Sequence, residues 1–205
     1  MKNHIALRGL ALAALAFMSS VEAATIDPAA SDSCILVPNA ACEAVLFDLN
    51  SIGIPLLGET AQTQTQIAFA STDGMLEGDP GGKINSVSGG FTNLTINVPG
   101  FYFAELLFRI KPGTDTSVTI TAYNAAGGST AETFQLAGME RFRGAATGDE
   151  LMSGVSIDSI NPITDVRQVK IGGLESAAVP EPASLLILGS GLVALGFVRR
   201  HKRVK

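Results

Sequence analysis

The sequence predicts an all-β domain, an antiparallel β-sandwich, over residues 24–171. Between residues 44 and 171, short runs rich in β-branched and aromatic residues alternate with clusters of Gly, Pro, Asn and Asp, which is typical of a sandwich or a barrel. Residues 24–178 contain 18 glycines, several in adjacent pairs that break helices and permit turns. No segment of this region has the periodicity of an amphipathic helix, so strands and turns account for the pattern.

Ten strands are predicted along this domain. The weaker patterns cover residues 44–49, 65–70, 83–87 and 91–98, and the clearer ones cover 101–111, 117–123, 130–136, 140–145, 151–157 and 165–171. The turn residues at 112–115 predict a hairpin between strands 101–111 and 117–123. Thr147-Gly148-Asp149 likewise predicts a hairpin between strands 140–145 and 151–157.

Side-chain alternation assigns faces to two of these strands. In strand 117–123, one face carries Val118, Ile120 and Ala122, and the other carries Thr119, Thr121 and Tyr123. In strand 165–171, one face is expected to carry Val166, Gln168 and Lys170, and the other Arg167, Val169 and Ile171. Pro162 is expected at a strand boundary, where it removes no ladder hydrogen bond.

The N-terminal residues 1–23 have the features of a secretory signal peptide. Lys2 and Arg8 precede the apolar stretch Leu10–Met18, and Val21-Glu22-Ala23 supplies small residues where signal peptidase cleaves. We expect cleavage after Ala23. An uncleaved anchor is the alternative, but the apolar stretch is shorter than the roughly 20 residues that span a bilayer.

The C-terminal residues 179–205 combine a short motif, an apolar run and a basic tail. Val179-Pro180-Glu181-Pro182 precedes residues 183–198, which are predicted to form a transmembrane helix. Arg199 and Arg200 begin the basic tail, and such residues beside a membrane span stay on the cytoplasmic side. The domain before Pro180 is therefore expected outside the cytoplasm, joined to the motif by a flexible linker over residues 172–178.

The order Val-Pro-Glu-Pro-Ala-Ser, a short apolar helix and an arginine cluster closely resembles the PEP-CTERM sorting signal of exopolysaccharide-producing Gram-negative bacteria. The resemblance implies that an exosortase cleaves near Pro180–Pro182, and that the inner-membrane precursor then passes to the cell surface or extracellular matrix. An ordinary anchor with a proline-rich stalk is the alternative. The central region is also similar to the jelly-roll-like sandwiches often found in PEP-CTERM proteins.

The charge of the central domain differs from that of the whole chain. Residues 24–178 contain seven basic and 17 acidic residues, a net charge of −10, whereas the full chain has −5. Phosphate contacts need clustered Lys and Arg, so this balance argues against nucleic acid or anionic lipid as a partner.

The two cysteines, Cys34 and Cys42, are predicted to form one disulfide, because an even number of cysteines in an exported domain normally pairs. A Cys-based metal site or nucleophile is the alternative, but it lacks a histidine partner. Both histidines, His4 and His201, lie in the terminal segments. The central domain therefore has no His-dependent triad, zinc site or acid-base group, and we expect no enzyme activity.

Carboxylates leave one remote catalytic alternative, a glycosidase with an acid and a base or nucleophile. The candidate groups are Asp73, Glu77 and Asp79 in one loop, and Asp149 and Glu150 in another. Asp73, Glu77 and Asp79 together with Asn85 are also oxygen ligands of the kind that calcium prefers, although their spacing matches no EF-hand. No other cofactor is predicted.

The main functional hypothesis is a surface-displayed binding or adhesive module, with exopolysaccharide as the candidate ligand. Sugar rings stack on exposed aromatic side chains, and the chain has no Trp, so the candidate contacts are Tyr102 and Tyr123. The alternative is a purely structural matrix protein without a specific ligand.

Overall fold

The computed structural model describes residues 24–38, 41–148 and 150–177, and in these ranges it contains fifteen β-strands and no α-helix. The predicted signal peptide, the sorting motif and the predicted transmembrane helix at 183–198 lie outside the described residues. Within those residues, no helix has the length and apolar character needed to cross a membrane.

The strands are numbered in chain order. The first eight are β1 (Ala24–Pro28), β2 (Cys42–Leu46), β3 (Ser51–Gly53), β4 (Leu56–Thr60), β5 (Gln66–Ala70), β6 (Leu76–Asp79), β7 (Lys83–Ser86) and β8 (Phe91–Asn97). The remaining seven are β9 (Phe101–Tyr102), β10 (Glu105–Pro112), β11 (Thr116–Asn124), β12 (Ser129–Leu136), β13 (Glu140–Ala146), β14 (Met152–Gly172) and β15 (Glu175–Ser176). Strands β1, β3, β4, β6 and β15 were not predicted as separate elements.

The strands form two packed layers that share the 21-residue strand β14. Its second half pairs with β10 and β7, giving a first sheet in the order β1-β13-β10-β14-β7-β6-β3. Residues 170–172 of the same half also pair with β2, which joins this sheet to the second one. Its first half pairs with β11 and β8, giving a second sheet in the order β12-β11-β14-β8-β5-β4-β2. All of these pairings are antiparallel, which confirms the predicted antiparallel β-sandwich.

The core lies between the two sheets and is filled by alternate residues of the strands. Phe134 packs on Phe142 with ring centroids 4.9 Å apart, and Phe142 packs on Phe108 at 6.1 Å. Phe47 and Phe69 form a second aromatic pair at 5.5 Å. Each fully buried side chain of this size contributes about 1.5–3 kcal/mol relative to exposure, so this interface provides the main stabilisation of the sandwich.

The predicted faces of β11 are confirmed. Val118, Ile120 and Ala122 are buried in the core, whereas Tyr123 on the opposite face is 41% exposed. This strand therefore separates an apolar inner surface from a polar outer one, as period-two alternation requires.

Both predicted hairpins were wrong. The segment after β10 leads to β11, but β10 pairs with β13 and β14, and β11 pairs with β12 and β14. The segment after β13 leads to β14, but β13 pairs with β1 and β10. Each connection passes from one sheet to the other, because both edges of β10 and β13 are occupied by other strands.

The strands predicted at 151–157 and 165–171 form one continuous strand, β14, so Pro162 does not mark a boundary. The pairing of β14 with β8 shifts in register between Asp158 and Ile163, on either side of this proline. Pro162 therefore lies where the strand changes sheets, at a place where the ladder is already interrupted.

A β-bulge at Gln168 overturns the predicted alternation of residues 165–171. Gln168 has φ of 54°, and the register with β10 shifts between the Leu107 and Arg109 pairs. The extra residue places both Arg167 and Lys170 outside, opposite Arg109 and Leu107, while Val166, Val169 and Ile171 are buried. Residues three apart would otherwise lie on opposite faces.

The segment expected to be a linker also differs from a plain coil. Glu175 and Ser176 form β15, which pairs with Tyr102 and Phe101 of β9. Phe103 follows β9 and forms an isolated bridge with Met152, so the single strand predicted at 101–111 is divided.

Candidate functional site

The outer surface of the second sheet consists of hydroxyl and amide side chains from four adjacent strands. We call this surface the polar face, and it comprises Asn93, Thr95 and Asn97 of β8, Thr119, Thr121 and Tyr123 of β11, Thr133 of β12, and Ser156 and Asp158 of β14. It arises because these residues alternate with Leu94, Ile96, Val118, Ile120, Val155 and Ile157, which are buried. Asp158 is the one ionisable carboxylate in this set.

One row of residues crosses five strands of this sheet in register. Tyr123 lies opposite Gly154, Gly154 opposite Asn97, Asn97 opposite Ala68, and Ala68 opposite Leu57. With strands about 4.8 Å apart, the row spans roughly 19 Å. Gly154 and Ala68 project little or nothing above the sheet, so the larger side chains of Tyr123 and Leu57 stand at the two ends of a low floor.

The hydrogen bonds of the polar face leave several groups available. The Tyr123 hydroxyl lies 3.3 Å from Ser156 Oγ, and Ser156 Oγ donates to Asp158 Oδ2 at 3.2 Å. Thr119 and Thr133 pair through their hydroxyls at 3.0 Å. Within the described part of the chain, no hydrogen bond engages the side chains of Thr95, Asn97 or Thr121. These donors and acceptors are free for a ligand.

The cations of the domain lie on the other sheet. All seven Lys and Arg residues between positions 24 and 177 lie on the outer surface of the four adjacent strands β13, β10, β14 and β7. They are Lys83, Arg109, Lys111, Arg141, Arg143, Arg167 and Lys170. Six carboxylates lie on or beside that same surface, and they are Asp27, Asp32, Glu77, Asp79, Glu105 and Asp165. The first sheet is therefore nearly balanced in charge, whereas the polar face has no cation.

Much of this basic surface is covered by residues 29–38, which we call the strap. Asp32 of the strap contacts Arg141 at 2.6 Å and Arg109 at 3.1 Å. Glu105, which is fully buried, accepts hydrogen bonds from the backbone N–H groups of Ile35 and Leu36 at 2.9 Å. Arg109 and Arg141 therefore hold the strap against the first sheet.

The predicted disulfide is confirmed and ties the strap to β2. Cys34 and Cys42 are bonded, with Cα atoms 6.0 Å apart. No free cysteine occurs in the described residues, so a thiol nucleophile or thiolate ligand has no place there.

Asp73 forms hydrogen bonds with Thr92. Its Oδ2 accepts hydrogen bonds from the backbone N–H and, at 2.8 Å, from the hydroxyl of Thr92. The backbone hydrogen bond from Thr92, followed by the hydroxyl one, lowers the pKa of the Asp73 carboxyl. Asp73 therefore fastens the loop between β5 and β6 to the start of β8.

The other candidate calcium ligands lie away from Asp73, on the outer surface of the first sheet. Glu77 is opposite Asn85, and Asp79 is opposite Lys83 while accepting the Gly81 backbone N–H at 2.9 Å. In the described residues there is no group of three or more His, Cys, Asp or Glu that could hold a metal ion. The calcium site therefore stays a prediction, and the described residues contain no cluster of ligands that supports it.

The remaining candidates are spread over the molecule. Tyr102 is half-buried in the small sheet of β9 and β15, opposite Glu175, whereas Tyr123 belongs to the polar face. Glu150 accepts a hydrogen bond from the Asn124 side-chain amide, and Asp149 is outside the described residues. Sequence reasoning missed Thr95 and Asn97, although the alternation of Asn93, Thr95 and Asn97 with Leu94 and Ile96 signalled them.

Comparison with solved structures finds two mutants of a family 29 carbohydrate-binding module. They are 13% and 12% identical to this chain, with TM-scores of 0.31 and 0.30, and the matches cover 69% of this chain and 98% of each module. At these TM-scores the similarity supports no inference about a ligand. No curated protein matches the chain significantly.

The described residues thus form an antiparallel β-sandwich whose polar face carries no cation. Residues 178–203 match the family described as the PEP-CTERM protein-sorting motif. The chain therefore carries a PEP-CTERM sorting motif at its C-terminal end, which confirms the resemblance seen in the sequence. The motif implies export in a Gram-negative bacterium, transient membrane anchoring and processing by an exosortase.

Proposed function

We propose that this protein is displayed at the cell surface or in the extracellular matrix after exosortase processing, and that its sandwich binds a polysaccharide on the polar face. The observation that carries the proposal is the row from Tyr123 to Leu57 across five strands. A long, low floor with free polar side chains suits an extended chain better than a compact ligand.

The side chains of this face match the chemistry of a sugar. Tyr123, 41% exposed, offers a ring surface on which the C–H face of a sugar can stack, while its hydroxyl remains polar. Thr95, Asn97 and Thr121 offer donors and acceptors to sugar hydroxyls. A few placed polar groups around an apolar contact are typical of ligand sites.

The charge distribution favours a neutral polysaccharide. The polar face has Asp158 and no Lys or Arg, and the cations of the first sheet are matched by neighbouring carboxylates. An acidic polysaccharide would meet like charge without a compensating cation, so its binding at this face is disfavoured.

Binding to a panel of neutral polysaccharides, followed by titration calorimetry, tests the proposal. Replacing Tyr123 by Ala should weaken binding about five- to thirtyfold, as expected for a contact contributing about 1–2 kcal/mol. Asn97→Ala should weaken it by a smaller factor. The matched control is Tyr102→Ala, which removes the other tyrosine from the separate small sheet and should leave the affinity unchanged.

Two outcomes would contradict the proposal. Equal losses in the Tyr123 and Tyr102 variants would remove the polar face as the site. Absence of binding to every glycan would instead favour the alternative, a structural matrix protein without a specific ligand.

A further inference from the structure

The row from Tyr123 ends at Leu57 of β4, which also lines a cleft beyond the polar face. This cleft has a volume of about 600 Å³. Its lining residues Leu57, Glu59 and Gln66 belong to the outer surface of the second sheet, because Leu57 lies opposite Ala68 and Glu59 opposite Gln66. A ligand chain following the row from Tyr123 to Leu57 would reach the cleft directly.

The cleft is lined on one side by apolar side chains that remain in contact with solvent. Leu46, Ile52 and Leu57 are 45%, 53% and 44% exposed. Water contact with three large aliphatic side chains around one cavity is unfavourable, at about 25 cal/mol per Å² of apolar surface. Because these three side chains line one cleft, an apolar group held there can contact more than one of them.

Polar side chains complete the cleft. Gln64 and Gln66 are exposed, and in the described residues neither side-chain amide has a hydrogen-bond partner. Asp48 and Glu59 also line the cleft, and no Lys or Arg does. The two amides can therefore donate hydrogen bonds to a ligand, and the aliphatic side chains can contact its apolar groups. The two carboxylates repel anionic ligands.

The loop that carries Gln64 is held in place by hydrogen bonds. Gln64 has a left-handed φ of 54°, a conformation that non-glycine residues seldom adopt. Thr60 Oγ1 lies 2.7 Å from Thr63 Oγ1 and accepts the Thr65 N–H at 2.9 Å, while Glu43 accepts the Thr63 N–H at 2.8 Å. Gln64 lies in the loop of the β4–β5 hairpin, where a left-handed residue is common, and these contacts fix the loop beside the cleft.

We infer that this cleft is a subsite for an acyl substituent, such as an O-acetyl or N-acetyl group, on a neutral polysaccharide bound along the polar face. The acyl methyl would contact Leu46, Ile52 and Leu57, and its carbonyl oxygen would accept a hydrogen bond from the Gln64 or Gln66 amide. This inference rests on the proposed function and adds the class of sugar that the site selects.

The test compares one polymer with and without its acyl groups. The full chain, purified in detergent, is titrated with acetylated glucomannan and with the same glucomannan after alkaline removal of the acetyl groups. Burying one methyl group corresponds to about a fourfold change in affinity, so the acetylated polymer should bind about fourfold more tightly for each acetyl group held.

Variants of the cleft should change this preference without removing binding. Leu46→Ser with Ile52→Ser, two cleft residues outside the row from Tyr123 to Leu57, should lower the affinity for the acetylated polymer to that for the deacetylated one. Gln64→Asn tolerates the left-handed backbone and shortens the amide, so it should reduce the preference in part. The matched control is Ile160→Ser, since Ile160 is 77% exposed and does not line the cleft.

The outcomes separate the two proposals. Equal binding of both polymers, or a double variant that weakens both equally, would overturn the acyl subsite and leave the polar face in place. Failure of both polymers to bind, together with absence of binding to every glycan of the panel, would overturn the proposed function and the subsite with it. Unchanged melting temperatures would show that the variants remain folded.

Discussion

Arg141 Nε lies 2.6 Å from Asp32 Oδ1, which joins the strap of residues 29–38 to the first sheet. The same carboxylate reaches Arg109 at 3.1 Å, and Arg141 and Arg109 are directly opposite each other on neighbouring strands. Like charges placed opposite each other destabilise a sheet. One strap carboxylate therefore neutralises a repulsive pair and fixes the strap at the same time.

Removing this carboxylate should loosen the strap. Asp32→Asn is expected to lower the free energy of unfolding by about 1 kcal/mol, because Asp32 is half-exposed and exposed ion pairs contribute about 0.2–1 kcal/mol each. Urea denaturation measures the change, and it should shrink at 1 M salt, where charges are screened. A loss that is independent of salt would contradict the electrostatic explanation.

The disulfide should stabilise the same segment by lowering the conformational entropy of the unfolded chain. Cys34 and Cys42 are eight positions apart, and the chain-entropy estimate for such a short loop is about 2–3 kcal/mol. The double variant Cys34→Ser with Cys42→Ser should lose about this amount and remain folded. An unfolded double variant at 25 °C would show that the bond holds more than the strap.

Glu43 should make stability depend on pH. Burial acts to raise the pKa of its carboxyl, but hydrogen bonds from the backbone N–H groups of Thr63 and Gln62, each 2.8 Å long, outweigh burial and lower it. A lowered folded-state pKa gives stability that is present above the ordinary glutamate value of about 4.3 and is lost as pH falls through the folded value.

Glu43→Gln should therefore be less stable than the unmodified chain at pH 7, by about 1–2 kcal/mol, and the difference should close as pH falls below about 4. Urea denaturation at several pH values measures it. Glu59→Gln, on the neighbouring strand and exposed, is the control and should leave the unfolding free energy at pH 7 unchanged. A difference that persists at acid pH would contradict the role of the charge.

The bulge at Gln168 gives a conformational prediction. Its φ of 54° is accessible to Gly, costs about 1–2 kcal/mol for residues with a Cβ atom, and is least accessible to side chains branched at Cβ. Gln168→Val should therefore destabilise the domain relative to the unmodified chain, whereas Gln168→Gly should not destabilise it. Thermal or urea unfolding compares the two variants, and equal stability would place the strain elsewhere.

The sorting motif gives a prediction in the cell. Replacing Pro180, Glu181 and Pro182 by Ala should leave the precursor uncleaved and trapped in the inner membrane, because the exosortase would no longer recognise it. Immunoblotting of membrane fractions and of the cell surface measures this. Unchanged processing and surface delivery would refute recognition at this motif.

The sequence predicts the elements of this fold better than their partners. The alternation of Val118, Ile120 and Ala122 with threonines identified β11 and its buried face correctly. The turn after β10 looked like a hairpin, but strand pairing is decided by contacts across the sandwich, which local sequence does not encode. A turn residue permits a reversal and does not decide which sheet the chain enters next.

The candidate site was predictable only in part. Tyr123 was named from the sequence as a candidate ligand contact, but the row that joins it to Asn97 and Leu57 depends on register between strands far apart in sequence. The net charge of residues 24–178 also does not reveal that the cations all lie on one sheet. Arg167 and Lys170 share that surface only because Gln168 forms a bulge.

The most direct test of polysaccharide binding at the polar face is an amide NMR titration of the full chain in detergent with neutral glucomannan oligosaccharides. The proposed site predicts saturable shifts for Thr95, Asn97, Tyr123 and Ser156, with no change at Arg109 or Arg141 of the opposite sheet. Shifts confined to the first sheet, or no shifts at saturating sugar, would contradict it.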